Sequence, residues 1–367
     1  MDARLICVVG GGISGLAFAA LHEKNGGKTL VLERQNPAEG EDGKSVVVNS
    51  AAVKILQDAG AQADGAPLET VRVNFQNAPG GMTIRGGVLG RGIAHRAVHQ
   101  QLAAGLGGSF CAPAKVISIS QNKNAAQIIY QTENGVQETE AAAALVACEL
   151  PQTPPPFAAR ALDCRQTIIS FSAQARNFPH ASAVECFTQD GIAAIVPRAD
   201  AKIGIILCAA DAAAGRLSAL EDDALMRRLN DIFGGEFGIH SPSPRYIYAP
   251  RIRHVSPLAD GKIALLGAGA TMLHPAGAQG LNMGLADAKT LAAFLANGEN
   301  IENALAKYAR RRAPAHLRLL AATGMLAAGG HLRQLPFRLL GGMAAAALSA
   351  AAFPRQKKFA EFLAGEK

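Results

Sequence analysis

A stretch late in the chain combines the residue types that bind ligands through the backbone. Residues 263–287 read IALLGAGATMLHPAGAQGLNMGLAD, in which His274 is the only titratable side chain before Asp287. The order predicts a buried strand, a glycine-rich turn and a helix that begins near Gly280. Glycines in such a turn let the backbone approach a ligand closely, and the helix start directs free N–H groups towards it.

A second glycine-rich sequence lies near the N-terminus. Gly10, Gly12 and Gly15 follow the apolar run Leu5–Val9 and precede helix-forming residues, and Glu33 ends the next β-prone run. Glycines spaced as G-x-G-x-x-G between a strand and a helix, with an acid about twenty residues further on, indicate dinucleotide binding. Glu33 is expected to accept hydrogen bonds from ribose hydroxyls. A tight turn without a ligand is the alternative interpretation.

The patterns between these two motifs predict the elements that position them. Residues 43–56 predict a loop, a short strand and a helix, and residues 68–90 alternate as strands do. Arg91 precedes an expected helix that includes Ile93. Residues 217–233 predict one amphipathic helix. An antiparallel sheet is predicted from four β-prone segments at residues 165–175, 183–188, 192–197 and 202–209.

We therefore expect an α/β protein in three parts. A Rossmann-like nucleotide-binding domain carries an inserted antiparallel-sheet substrate domain, and a helical tail follows. The expected boundaries are residues 1–70, 91–160 and 256–310 for the nucleotide-binding domain, 71–90 and 161–255 for the substrate domain, and 311–367 for the tail.

Composition narrows the class of protein. Of the 367 residues 49% are apolar and 18% charged, which indicates a globular protein with a sizeable core. The six cysteines are far apart without a CxxC pair, so we expect reduced thiols rather than disulfides or a metal site. Neither a signal peptide nor a membrane-spanning helix is expected, and the predicted location is cytoplasmic.

The positive charge belongs to the C-terminal region. Residues 301–367 hold 11 Lys and Arg against 3 Glu, although the whole chain has a net charge of only +7. Leucines lie among Arg318, Arg333 and Arg338, so this region could dock on an anionic membrane surface. The alternative is a helical cover on the nucleotide-binding domain with a solvated basic face. A nucleic-acid partner is not expected, because no aromatic residues interleave with the basic ones.

Four local sequences resemble those of the class A flavoprotein aromatic hydroxylases, and in particular the ubiquinone-biosynthesis hydroxylases (UbiH/UbiF type). The four sequences are Gly10–Gly15 with Glu33 and Arg34; Gly43-Lys-Ser with Leu56 and Gly60; Phe187–Pro197; and His274–Asp287. The resemblance extends over nearly the whole chain. Tyr308-Ala-Arg-Arg-Arg312 is similar to the same branch of the family.

This resemblance implies that FAD is the cofactor and NAD(P)H the reductant. Gly10, Gly12, Ile13, Ser14 and Gly15 would then bind the pyrophosphate, with Glu33 and Arg34 on the adenosine side. Arg91 matches the family's arginine that reaches the cofactor, and Lys44 belongs to the second matching sequence. The isoalloxazine would be lined by residues of the late stretch, namely Ala268, Pro275, Gln279, Gly280, Leu281 and Asn282.

The implied reaction is hydroxylation of an aromatic ring of a quinone precursor through a flavin hydroperoxide. The substrate would be a small aromatic molecule or a prenylated phenol. No protein nucleophile is needed, and His274 is either a general acid/base near the flavin or a structural residue. The protein would then meet the membrane, or a complex for quinone synthesis, peripherally through its basic tail.

The sequence departs from the family pattern in three places. Ala268 stands where the family has an aspartate that holds a ribityl hydroxyl, and Ala278 replaces a glycine. The Asp-Gly motif expected after Val146 is absent. These departures leave open a degenerate homologue that binds FAD weakly or not at all and serves as an accessory or lipid-binding subunit. Another flavin oxidoreductase of the same fold is the third alternative.

Overall fold

The computed structural model describes residues 5–35, 45–76, 81–150, 154–179 and 181–330. In these residues the α-helices are α1 (Ile13–Lys24), α2 (Ser50–Asp58), α3 (His95–Leu106), α4 (Asp211–Ser218), α5 (Asp222–Ile232), α6 (Gln279–Ala296) and α7 (Ile301–Gly330). The strands are β1 (Leu5–Val9), β2 (Lys28–Leu32), β3 (Ser45–Asn49), β4 (Gly65–Phe75), β5 (Gly81–Ala94), β6 (Phe110–Cys111), β7 (Lys115–Gln121), β8 (Ala126–Thr132), β9 (Gly135–Ala141), β10 (Ala143–Val146), β11 (Ala158–Asp163), β12 (Gln166–Ala175), β13 (Ser182–Phe187), β14 (Gly191–Pro197), β15 (Ile203–Ala210), β16 (Ile239–His240), β17 (Tyr246–Tyr248), β18 (Arg251–Ser256), β19 (Ala259–Asp260), β20 (Ile263–Leu265) and β21 (Thr271–Met272).

A six-stranded sheet carries both glycine motifs. Its order is β19-β20-β10-β1-β2-β6, and its central strands are parallel. Ile6 and Val8 of β1 pack on the side of helices α1, α3 and α6, whereas Cys7 and Val9 pack against the small sheet β7-β8-β9. Because both faces of the sheet are covered, β1 is apolar at every position.

A nine-stranded sheet forms the second layer of the molecule. Eight strands follow the order β16-β12-β15-β14-β13-β4-β5-β3, and β17 also pairs with β12. Helices α4 and α5 cover one face of this sheet, where Leu225 and Leu229 join its core. The predicted α/β fold with an antiparallel sheet is therefore confirmed, while the predicted domain boundaries stay a prediction.

Two local expectations were wrong. Residues 217–233 are not one helix, because α4 ends at Ser218 and α5 begins at Asp222. Asp222 and Asp223 stabilise a new helix start, since acidic side chains interact favourably with the positive end of the helix dipole. Ile93 belongs to strand β5 rather than to a helix, because β5 continues to Ala94 with β3 and β4 paired on its two sides.

Helix α7 forms the first part of the basic C-terminal region and lies along the six-stranded sheet. Tyr308 is fully buried and its hydroxyl donates to the Leu265 carbonyl at 2.8 Å, so the first half of α7 covers β20. None of the helices in the described part of the chain is long and apolar enough to cross a membrane. The part of the tail beyond residue 330, with Arg333 and Arg338, lies outside the described residues.

Candidate cofactor-binding site

The N-terminal glycines form the turn between β1 and α1. Gly10 has φ +106°, and a Cβ there would lie 2.7 Å from the Cβ of Cys148. A Cβ at Gly15 would lie 2.2 Å from the carbonyl oxygen of Gly10. Gly12 is exposed, and a Cβ there would have no atom within 4 Å. The turn therefore needs Gly10 and Gly15 for its own packing, whereas Gly12 leaves space open beside the start of α1.

Glu33 and His99 hold this turn from two sides. The Glu33 carboxylate accepts hydrogen bonds from the backbone N–H of Gly11 at 2.7 Å and of Gln35 at 2.9 Å. The Nε2 atom of His99 on α3 lies 2.7 Å from the carbonyl oxygen of Gly11. Glu33 thus orients the loop through one oxygen and retains lone pairs for further donors. Sequence reasoning missed His99, because only the fold brings α3 beside the turn.

The late glycine motif meets the first turn of α1. A Cβ at Gly267 would lie 3.2 Å from Ser14, and one at Gly284 of α6 would lie 2.2 Å from the Ser14 hydroxyl. Two motifs about 250 residues apart in the chain are therefore in contact. Ala268 is exposed in the turn Gly267–Gly269, whereas Ile13 is buried in the core on the helix side of the six-stranded sheet.

A buried carboxylate anchors this turn from beneath. Asp287 is completely buried, and its Oδ2 accepts a hydrogen bond from the Gly267 N–H at 2.9 Å. Its Oδ1 lies 2.6 Å from Nε of Arg312 on α7. The Nε2 of buried His316 lies 2.9 and 3.0 Å from the two carboxylate oxygens. The position of the turn therefore depends on side chains from α6 and α7.

The same network continues towards strand β18. His316 Nδ1 and His254 Nδ1 both lie 2.8 Å from the Thr271 hydroxyl. Burial lowers the pKa of His254, and repulsion from His316 lowers it further. A neutral His254 is therefore favoured, and its contact with the Thr271 hydroxyl joins β18 to this side of the turn.

The loop before α6 is fixed to β3 by Asn282. Its Oδ1 accepts from the Asn49 N–H at 2.9 Å, and its Nδ2 donates to the Ala278 carbonyl at 3.0 Å. Ala278 has φ +52°, a left-handed conformation that costs an L-residue roughly 1–2 kcal/mol. The chain therefore keeps the backbone shape that glycine would adopt without strain.

Pro275 and the first residues of α6 lie along the rim of this loop. Pro275, Gln279 and Leu281 are half-buried, and Gly280 is exposed with no atom within 4 Å of a Cβ there. The side-chain amide of Gln279 donates to the Gly277 carbonyl at 2.9 Å. Ala278 gives α6 no side-chain cap, so within the described residues the first N–H groups of α6 have no side-chain acceptor and are available to a ligand.

His274 is buried, and it connects this loop to the nine-stranded sheet through side-chain contacts. Its Nδ1 accepts a hydrogen bond from the Ala276 N–H at 3.1 Å, so the ring proton is on Nε2, which lies 2.7 Å from Oε1 of Gln166. The same Nε2 lies 3.7 Å from Sγ of Cys208. These contacts favour the structural role of His274 over that of a general acid/base.

Arg91, Arg34 and Lys44 were also expected at the site. Arg91 lies in β5, and its guanidinium donates to the Gly65 carbonyl at 2.8 Å. Arg34 is exposed just after Glu33. Lys44 lies outside the described residues. The sequence after Val146, where the family's Asp-Gly was expected, places Cys148 against Gly10, and burial raises the pKa of the Cys148 thiol to about 11.

These features suit a dinucleotide with an attached ring system. Within the described residues no side chain caps the N-terminus of α1, and Gly12 leaves room beside it. A pyrophosphate accepts hydrogen bonds from such free N–H groups and is favoured by the helix dipole. The N-terminus of α6 offers a second set of uncapped backbone N–H groups, beside Gly280. The fold and these paired helix starts define a dinucleotide-binding α/β protein.

The chain belongs to the family of FAD binding domains, which it matches over residues 4–323. FAD is therefore its cofactor, as the resemblance implied. The ubiquinone hydroxylase UbiL of Rhodospirillum rubrum is 24% identical over 344 residues, which are 88% of this chain and 80% of that protein. The 3-demethoxyubiquinol 3-hydroxylase of Escherichia coli is 23% identical over 321 residues, which are 83% of this chain and 82% of that protein.

A solved structure supports the same fold. The crystal structure of Klebsiella pneumoniae HpxO complexed with FAD and uric acid has a TM-score of 0.78 and 14% sequence identity. The match covers 99% of this chain and 96% of that one. At this level of identity the likeness concerns the fold alone, and uric acid is a ligand of HpxO.

Proposed function

We propose that this protein is an FAD-dependent monooxygenase that hydroxylates an aromatic ring of a quinone precursor in ubiquinone biosynthesis. The main support is the convergence of the turn Gly10–Gly15, the turn Gly267–Gly269 and the start of α6 at one open site. Two curated relatives act on ubiquinone or its precursors, and each matches more than four fifths of this chain.

The protein's part in this reaction is to bind and orient. Gly12, Ile13, Ser14 and the N–H groups of α1 would hold the pyrophosphate, and Glu33 would accept hydrogen bonds from ribose hydroxyls. Pro275 to Asn282 would line the ring of the cofactor, with the first N–H groups of α6 facing it. FAD, once reduced by NAD(P)H, supplies the oxygen activation that the side chains cannot. The nine-stranded sheet, whose Phe187 packs with Ala276 of the loop before α6, would close the opposite side of the site and exclude water.

The experiment is a turnover assay with the FAD-saturated protein. The protein is supplied with NADH or NADPH and a short-chain prenylphenol, and the product is identified by mass. A ring product that has gained one oxygen supports the proposal. FAD-saturated protein that forms no such product with either nicotinamide would contradict it and favour the accessory-subunit alternative, for which Ala268 and Ala278 are the structural arguments.

Replacing Ala268 with aspartate is expected to tighten FAD binding. The exposed methyl group of Ala268 offers the cofactor no acceptor, whereas a carboxylate there would add a charge-assisted hydrogen bond. Such a bond contributes about 1.5–3 kcal/mol, or roughly a ten- to 150-fold lower Kd. The measurement is an FAD titration by flavin fluorescence, with Ala212→Asp on exposed α4 as the charge-matched control. Equal affinities of both variants and the wild type would refute the assignment of Ala268.

We also propose that the basic C-terminal region contacts an anionic membrane surface. Arg310, Arg311 and Arg318 are exposed on α7, and Leu317 beside them is 52% exposed. Basic side chains near an anionic surface each contribute about 1 kcal/mol of binding. The full chain is expected to sediment with phosphatidylglycerol vesicles at low salt but not with phosphatidylcholine vesicles. Sedimentation with neither would leave α7 as a protein cover only.

A further inference from the structure

Glu185 lies in the middle of the nine-stranded sheet, on the face that turns towards the candidate cofactor site. Side chains alternate along a strand, and its neighbours Val184 and Cys186 both point into the core under α4 and α5. Phe187 shares the face of Glu185 and packs with Ala276 of the loop before α6. The Glu185 side chain therefore points to the same side as that loop.

The surroundings of this carboxylate are apolar. Its partners in register on the two adjacent strands are Val73 of β4 and Ala194 of β14. Two apolar clusters lie on the same face, one on each side of Glu185. They comprise Val47, Leu68, Val71, Ala183, Val196 and Ile206 on one side, and Val73, Phe75, Phe187, Ile192 and Ala276 on the other.

Within the described residues no hydrogen-bond donor or cation pairs with the Glu185 carboxylate. The Glu185 residue is half-buried, so its carboxylate is neither fully hydrated nor sealed inside the core. Burial alone raises the pKa of Glu185 from 4.5 to about 7. An unpaired carboxylate in an apolar setting is costly, so such groups concentrate at functional sites.

The other titratable groups on this face of the nine-stranded sheet do not neutralise the charge of the Glu185 carboxylate. Cys208 of β15 carries a thiol whose pKa burial raises to about 12. His274 from the loop contacts Cys208 and is neutral, because its Nδ1 accepts a hydrogen bond. Burial raises the pKa of Tyr248 on β17 to about 12. Arg198, at the end of β14, is paired with Asp200.

We propose that Glu185 accepts a hydrogen bond from the ring hydroxyl of the substrate, takes its proton, and makes the site selective for uncharged hydroxyl-bearing rings. This rests on the proposed function. In the transfer the phenolic O–H bond breaks and a carboxyl O–H bond forms on Glu185. The negative charge moves from the carboxylate to the ring oxygen, which enriches the ring in electrons for hydroxylation.

The same carboxylate explains which rings the site excludes. A substrate with its own carboxylate would bring a second negative charge into the apolar space, where like charges are poorly screened. A methyl ether has no donor and would leave the Glu185 carboxylate unsatisfied. The site is therefore specific for phenols without an acidic substituent.

The first test compares three probes by calorimetry on the FAD-loaded protein at pH 8. Wild-type protein is expected to bind 4-methoxyphenol about tenfold or more tightly than 1,4-dimethoxybenzene or 4-hydroxybenzoate. Glu185→Gln is expected to lose most of the discrimination against 4-hydroxybenzoate, whereas Glu138→Gln on exposed β9 keeps it. Equal discrimination by wild type and Glu185→Gln would overturn the proposal.

The second test is independent of turnover and uses stability against pH. The pKa of Glu185 is higher in the folded than in the unfolded chain, so the folded state holds a proton that the unfolded state releases. The wild type therefore loses stability as the pH rises from 4.5 to about 7. Glutamine does not titrate, so Glu185→Gln does not lose this stability. The melting temperature of the variant minus that of the wild type is therefore expected to increase across the same pH range. If the melting temperatures of the two proteins differ by the same amount at every pH, the proposal is overturned.

Turnover separates this proposal from the proposed function. If wild type forms the hydroxylated product while Glu185→Gln keeps the wild-type kcat and its pH profile, only the role of Glu185 fails. If wild type forms no product but both tests above succeed, the proposed reaction fails and Glu185 remains a group that binds phenols. If the wild-type kcat rises with pH near the pKa of Glu185, and Glu185→Gln has a lower kcat without this rise, both the proposed function and the role of Glu185 are supported.

Discussion

Replacing Arg312 with glutamine is expected to lower the free energy of unfolding by about 3–5 kcal/mol. The Arg312 guanidinium lies 2.6 Å from the carboxylate of Asp287, which has no exposed surface. Removing one partner of a buried ion pair leaves the other charge without compensation. Of its partners in the described part of the chain, Asp287 would keep His316 and the Gly267 N–H, and the turn Gly267–Gly269 would lose part of its support.

Chemical denaturation of the purified protein measures this effect. Arg311→Gln is the matched control, because Arg311 is the next residue on α7 and is exposed. It is expected to stay within about 0.5 kcal/mol of the wild type. The Arg312 variant should also bind FAD more weakly, since Asp287 positions the turn beside Ser14. If both variants unfold at the wild-type midpoint, the buried pair does not stabilise the turn.

Replacing Gly15 with alanine is expected to destabilise the protein by about 3 kcal/mol and to abolish FAD binding. A Cβ at Gly15 would lie 2.2 Å from the carbonyl oxygen of Gly10, which is a backbone atom and cannot rotate away. The turn between β1 and α1 would have to shift. Its hydrogen bond from the Gly11 N–H to Glu33, at 2.7 Å, would then be strained.

Gly12→Ala is the informative companion variant. A Cβ there meets no atom within 4 Å, so its stability is expected to stay within about 1 kcal/mol of the wild type. Its FAD affinity should nevertheless fall at least about tenfold, because the methyl group would occupy the space beside the N–H groups of α1. Thermal melting and FAD titration of the two variants separate folding from binding. Unchanged FAD affinity in Gly12→Ala would place the pyrophosphate elsewhere.

Much of the nucleotide-binding layer could be predicted from local sequence. The turn Gly10–Gly15, the strand before it and the helix after it are encoded by adjacent residues, and the structure contains all three. The order of strand, turn and helix in residues 263–287 was equally local. The four β-prone segments between residues 165 and 209 are separated by turns at regular spacing, and they pair as an antiparallel sheet.

Other features escaped prediction for identifiable reasons. The break between α4 and α5 was missed because Leu217 and Leu225 both keep a helical spacing across it and both reach the core. Strand β5 runs on to Ala94 only because β3 and β4 pair with it on both sides. The sequence leaves His274 two possible roles, and no local pattern indicates its contact with Gln166, 108 residues away in the chain.

By itself the sequence determined the turns that glycine makes possible, and with them the FAD-binding family. Those turns depend on backbone freedom at single positions, which adjacent residues reveal. Only the tertiary structure decided how the turns are held and what faces them. The Asp287–Arg312–His316 cluster joins two helices, and Glu185 is placed by the pairing of β13 with β4 and β14. Burial and charge at these residues arise from packing between distant segments, which no local pattern encodes.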